Sequence, residues 1–251
     1  MKNFIRLQPR VWGFVNQISR IFFLVLCGVV LGFSPLYADG SAERAHGSSS
    51  PPGKGIDLLQ LGATVYKHMC VYCHGDDGDG GGKAMAYLYP WPRDFRQGVF
   101  KYRTTPFGSI PLDKDIYRTI SRGVPGTAMP AWGGALSEDE TWGVVEYIKK
   151  FSKRFEREKP RKAITVGSVP PSTPESVENG KKVYQEMRCA RCHGTDLQGD
   201  GPIAHELYDI WDHRVFVYEL TDPNTYKFGF NKKDLFLILT TGIDGTPMKS
   251  Y

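Results

Sequence analysis

A block of this sequence recurs 119 residues after itself. Cys70, Cys73 and His74 in MCVYCHG align with Cys189, Cys192 and His193 in RCARCHG. Asp115-Ile116-Tyr117 aligns with Asp234-Leu235-Phe236 at the same offset, as do Gly123 with Gly242, Gly126 with Gly245, Thr127 with Thr246 and Met129 with Met248. Before the pentads, Val65-Tyr66 pairs with Val183-Tyr184 one residue out of step, so a single position was gained or lost there. A duplication this regular makes each half one structural module, and the chain a tandem pair.

The remaining sequence sets the boundaries. Residues 1–38 carry Lys2, Arg6, Arg10 and Arg20 with no acid, followed by an apolar run from Ile21 to Phe33 and a candidate cleavage point after Ala38. That order reads as an export signal peptide. An uncleaved anchor is the competing reading, with residues 21–37 as a membrane tether, although the run falls short of the roughly 18–20 residues a spanning helix needs. Cys27 lies inside this run and is read as filler. Residues 39–55 are a flexible tail without apolar periodicity. Module 1 is expected over 56–158, a Pro-rich linker over 159–174 and module 2 over 175–251. Beyond residue 38 there are 28 basic and 27 acidic residues, a balance that makes no case for nucleic-acid binding.

The expected fold class is all-α. Ile56, Leu59, Tyr66 and Met69 recur at helical spacing ahead of the first pentad, and Ile116, Tyr117 and Ile120 form a second stripe that Gly123 can terminate. Ser137 and Glu140 have the spacing of a capping box, opening a helix with Trp142, Val145 and Ile148 on one face. With 28 Gly and 17 Pro in 251 residues, loops stand in for much of the core, and each module needs something large to pack around.

Four of the five cysteines sit in the two C-x-x-C-H pentads. Zinc, redox thiols and covalent haem compete for them. A structural zinc site wants four ligands, and no repeated Cys or His supplies the missing one. A redox dithiol belongs beside a βαβ pattern, which is absent, and has no use for the adjacent His. C-x-x-C-H is the attachment signal for c-type haem: the two thiols form thioethers with the vinyl groups, and the His is placed under the iron. Two pentads therefore call for two c-type haems, held by Cys70, Cys73, Cys189 and Cys192, with His74 and His193 as proximal ligands. Export agrees, because this attachment occurs outside the cytoplasm. Met129 and Met248 each follow their His by 55 residues, in Gly-Thr-x-Met turns. Thioether sulfur is a soft ligand that favours ferrous haem, so both are the expected distal ligands, with His205 and His213 as alternatives at the second haem.

With CVYCH, CARCH, GTAMPAW and GTPMKSY in place, residues 56–251 resemble a tandem di-haem class I c-type cytochrome, a member of the cytochrome c superfamily. The resemblance implies a small helical fold around each haem, with terminal helices crossing at a Gly and an aromatic, roles that Gly62 and Tyr66 with Trp142 and Tyr147 would fill. It implies that Pro90-Trp91-Pro92-Arg93-Asp94-Phe95 is a haem-wall loop, with Arg93 a propionate partner, and that Leu220-Thr221-Asp222-Pro223 occupies the equivalent region of module 2. Only three residues follow Met248, so module 2 is expected to be truncated before its C-terminal helix.

Two other features are set aside. Gly75 to Gly82 lacks both the Lys-Ser/Thr of a phosphate loop and the spaced Glu of a calcium loop, and reads as a tight turn. Lys149 to Lys162, with eight basic residues and two acids, reads as a solvated helix end rather than a docking patch. The functional expectation is a periplasmic carrier of single electrons between a dehydrogenase or quinol-oxidising complex and a terminal oxidase or reductase. Its partners are redox proteins or a membrane respiratory complex. The alternative is a catalytic di-haem enzyme of the peroxidase or thiosulfate-dehydrogenase type, which needs an open iron position that two Met ligands argue against.

Overall fold

The computed structural model describes Gly55 and residues 57–251. The signal or anchor reading, the tail up to Lys54, and Ile56 lie outside the described residues. Among the described residues the elements are helical: α1 (Leu58–Val65), α2 (Val71–His74), α3 (Asp113–Arg122), α4 (Glu138–Lys149), α5 (Arg154–Arg157), α6 (Pro174–Glu186), α7 (Ala190–His193) and α8 (Lys232–Thr241), with short 3-10 turns between them. Extended pairing among them is limited to one bridge, Tyr208 with Arg214. No helix among these residues is long and apolar enough to cross a membrane.

Local signals start and stop the helices. The Asp57 side chain accepts from Gln60 N at the start of α1. Ser137 and Glu140 form the expected capping box: Ser137 N donates to Glu140 Oε2 at 2.8 Å, and Glu140 N to Ser137 Oγ at 3.2 Å. Gly123 and Gly242 end α3 and α8 with φ of 65° and 64°, a region that favours glycine. Ile116, Ile120, Trp142, Val145 and Ile148 are all buried, as their spacing predicts.

The first stripe differs from its expected form. Leu59 and Met69 are exposed, and α1 instead buries Gly62 and Val65, with Tyr66 behind them. A wide π turn over Tyr66–Cys70 breaks the 3.6-residue register after Val65, which turns Met69 off the core face. Gly62 meets Gly143 of α4 rather than an aromatic. A Cβ on Gly62 would run into the Gly143 carbonyl and lie 2.9 Å from Val144 N. Tyr66 packs on Tyr147 with ring centroids 5.2 Å apart, and Trp142 packs on Tyr117 at 4.7 Å. Gly62→Ala is therefore expected to separate α1 from α4 and cost about 1–3 kcal/mol, read as a lower thermal midpoint. An unchanged midpoint would mean the crossing tolerates a methyl group.

The main apolar core, including Val65, Tyr66, Phe95, Ile116 and Trp142, lies wholly within the first half. In the second half, α6 buries none of its residues, and Gly180, the counterpart of Gly62 in the register of Val183-Tyr184, faces open space. The loops after the pentads nevertheless follow one design. Phe95 N donates to Gly78 O at 2.7 Å, and Leu220 N to Leu197 O at 2.8 Å. Gly78 and Leu197 share φ near 65° and 64°. A Cβ at Gly78 would lie 2.6 Å from the Phe151 ring, so the first half requires glycine there. In the second half the same position is Leu197, at positive φ and lining the second cavity.

The described residues belong to one compact unit. Arg103, fully buried, donates to Thr241 O at 3.0 Å and pairs with Asp244 at 3.3 Å. Arg118 donates to Phe228 O at 2.7 Å and to Asp234 Oδ1 at 2.9 Å, and stacks over the Phe228 ring. The repeat partners Asp115 and Asp234 thus diverge. Asp115 caps its own segment, accepting from Thr104 and Leu112 amides, while Asp234 reaches across to the first half. The stretch 159–174 also lies against its neighbours, with Ile164 N donating to Thr104 O and Lys232 Nζ to Pro170 O.

Candidate functional site: two cavities with a common wall

Each pentad folds into a tight helical turn that closes on a left-handed glycine. Gly75 and Gly194 both have φ of 77°. Tyr66 Oη donates to Gly75 O at 2.9 Å, and Tyr184 Oη to Gly194 O at 2.7 Å. Gly80 N and Gly199 N donate to the carbonyls of His74 and His193, and Gly82 N and Gly201 N to those of Cys73 and Cys192. The glycine-rich loop is therefore the tight turn its pattern suggested, and it fixes the backbone under both histidines. All four pentad cysteines are free thiols rather than disulfides.

His74 Nδ1 lies 3.3 Å from the Arg93 carbonyl oxygen. A carbonyl only accepts, so Nδ1 carries the proton and Nε2 keeps its lone pair. The ring stacks on Phe95 with centroids 4.7 Å apart. Burial pulls its pKa down to about 4, which keeps the imidazole neutral as a metal ligand requires. His193 differs: burial lowers its pKa with the Tyr218 backbone opposing, but its buried Nδ1 lacks the hydrogen bond that His74 has. Burial, then the neighbouring Cys73, pushes the Cys70 thiol up to about 11, the reverse of what a thiolate metal cage or redox thiol uses.

The methionine loops are duplicates in hydrogen-bonded detail. Val124 N donates to Met129 O, and Ile243 N to Met248 O, both at 3.0 Å. Thr127 Oγ1 donates to Val124 O at 2.8 Å and accepts from Met129 N at 3.1 Å. Thr246 Oγ1 donates to Ile243 O at 2.7 Å and accepts from Met248 N at 3.2 Å. The repeated Thr was visible in the sequence, but its work as the clasp of the Met turn was not.

The elements enclose two cavities. The first, of about 1220 Å³ including its mouth, is lined by Cys70, Cys73, His74 and Met129 with Phe100, Ile120 and Trp132 among its apolar walls. The second, of about 2810 Å³, is lined by Cys189, Cys192, His193 and Met248, with His213 also at its wall. His213 packs on Trp91 at 4.5 Å, and its amide donates to Asp209. His205, in a separate 3-10 turn, does not line the second cavity. Arg93 lines both cavities, together with Trp91, Lys101 and Tyr102. Lys101, Tyr102 and Trp211 went unrecognised in the sequence, since none belongs to the repeat.

Comparisons with known proteins agree with this arrangement. Residues 57–148 match the family described as cytochrome C oxidase, cbb3-type, subunit III, and residues 177–233 match cytochrome c. The cbb3-type cytochrome c oxidase subunit CcoP of Azospirillum sp. (strain B510) is 31% identical over 185 residues, covering 64% of this chain and 52% of that protein. Subunit FixP of Sinorhizobium medicae is 28% identical over 167 residues, covering 61% and 45%. The chain thus spans about half the length of these curated relatives. A chain in the solved Kuenenia stuttgartiensis reducing HAO-like protein complex is 39% identical, with a TM-score of 0.76 over 80% of this chain and 90% of that one. Two cytochrome c domains imply covalently bound c-type haem, and the neutral histidines, free thiol pairs and apolar cavities fit that group. The chain belongs to the tandem di-haem class I c-type cytochromes of the cytochrome c superfamily.

Proposed function

We propose that the protein carries single electrons through two c-type haems, one in each cavity. Cys70 and Cys73 hold the first and Cys189 and Cys192 the second. His74 and Met129 would hold the iron of the first, and His193 and Met248 that of the second. The modules run over residues 56–158 and 175–251, with 159–174 between them. When bound, the haem iron supplies the chemistry by cycling between its ferric and ferrous states. The chain's own work is to present neutral imidazoles, place a clasped Met in each cavity and keep the irons in a largely apolar surround. The observation that carries the reading is that the same Met clasp occurs twice, each time lining the cavity of a C-x-x-C-H histidine. A carrier has no use for an open iron position, and two such loops close both.

The reading extends to setting. An exported, periplasmic protein, tethered by residues 21–37 or freed by cleavage after Ala38, would meet redox partners or a membrane respiratory complex there. The relatives named as oxidase subunits, and the one found in a reducing complex, support an electron-transfer subunit working beside a larger redox enzyme. Carbon monoxide tests the proposal. The reduced native protein is expected to bind it weakly and to turn over little peroxide, while Met129→Ala and Met248→Ala each open one haem to strong binding. Strong binding together with substrate turnover in the native protein would overturn the carrier reading in favour of a di-haem enzyme.

A further inference from the structure

Two half-buried cations stand in the wall common to both cavities. Arg93 and Lys101 line the first cavity and the second. Among the described residues, neither lies within ion-pair distance of a carboxylate. The Arg93 guanidinium lies over the Trp211 ring at 4.1 Å, its one close partner through the charge. Trp211, contributed by the second half, has a buried Nε1–H with no acceptor, and it lines only the second cavity. Asp209, whose charge favours both cations, already accepts the Trp211 and His213 amides at 2.9 Å. Arg93, Lys101 and Trp211 thus share the lining of the second cavity, with the guanidinium against the indole ring.

A charge drawn partly out of water is costly unless paired, and a buried donor without an acceptor, such as the Trp211 Nε1–H, costs further. The missing partner is an anion with more than one acceptor oxygen. A guanidinium and an ammonium side by side suit a carboxylate. We infer that Arg93, Lys101 and Trp211 form a composite carboxylate site that binds a propionate of the haem in the second cavity, so that the first half completes the second haem's pocket. This rests on the di-haem reading above and goes beyond it, since the family resemblance implies a role for Arg93 only toward its own module's haem. Burial, then repulsion from Arg93, pulls Lys101 down to about 7; a carboxylate would relieve both effects and hold the ammonium charged. Convergence on the second cavity rather than the first follows from Trp211, the one donor of the three that faces a single cavity.

The test is made on the full chain with both haems attached, by spectroelectrochemical titration. A cation beside a haem disfavours the ferric state, so Lys101→Met is expected to lower the potential of the His193 haem, seen as a several-fold rise in its ferric-to-ferrous ratio at fixed potential. Lys101→Arg should restore most of the native value, and Trp211→Phe should shift the same haem in the same direction by less. Combining Lys101→Met with Cys70→Ala and Cys73→Ala isolates the His193 haem; combining it with Cys189→Ala and Cys192→Ala isolates the His74 haem. A larger shift at the His193 haem supports the site. An equal or larger shift at the His74 haem, or none at either, overturns it. Intact mass on the same samples separates the two failures. Among the variants that keep all four pentad cysteines, a chain without two attached haems overturns the di-haem reading and this site with it, whereas two haems with unmoved potentials overturn this site alone.

Discussion

Cys189→Ala combined with Cys192→Ala is expected to halve the covalently attached haem, leaving an intact mass one haem above the sequence where the native chain stands two above it. Cys70→Ala with Cys73→Ala should do the same for the other site. The consequences for folding should differ. The first half keeps a buried core of its own, with Val144, Val145 and Trp142 almost inaccessible to solvent. In the second half, Leu237 and Ala204 are the buried hydrophobics, and α6 contributes nothing to a core. Loss of its haem therefore removes most of what the second half packs around, and far-UV circular dichroism should show the larger loss of helix in the Cys189/Cys192 variant. A native chain whose denatured mass shows no covalent addition would end the haem reading altogether.

Arg103→Ala is expected to destabilise the protein by about 3–5 kcal/mol, the usual cost of stripping one partner from a buried ion pair. The Arg103 side chain is fully buried, and its guanidinium also serves the carbonyls of Phe100, Pro106 and Thr241. Its loss leaves Asp244 facing an empty pocket and cuts a tie between the halves. Urea titration followed by circular dichroism would measure the effect. Arg103→Lys should recover part of the charge but not the fork of hydrogen bonds. A loss below about 1 kcal/mol, the worth of a surface pair, would mean that the halves are joined by other contacts.

How much of this was legible in the sequence depended on the range of the interaction. The pentads, the Met turns and the Ser137–Glu140 cap are short patterns whose chemistry is local, and the 119-residue repeat doubled each signal. The α1 stripe was misjudged because a π turn shifts the register at Tyr66, and periodicity alone does not reveal such a turn. The resemblance placed Gly62 at the helix crossing, but its contact Gly143 went unnamed, because a glycine offers no hydrophobic signal. The common wall was beyond reach for another reason. Arg93, Lys101 and Trp211 meet only after the two halves dock, and Arg103 finds Asp244 across 141 residues. Arg93 could be picked out as a carboxylate binder, but nothing local says that it borders two cavities.

The buried ties from Arg103 and Arg118 have a bearing on ancestry. A duplicated gene delivers two equal copies, each able at first to stand alone. Here the main apolar core lies in one copy, and the other is tied to it by Arg103, Arg118 and Asp244, none of which the repeat shares. The stretch of chain that was copied and the stretch that must hold together to be stable are no longer the same length. Exchanging the second half for that of a cousin would then mean exchanging its seat on the first as well.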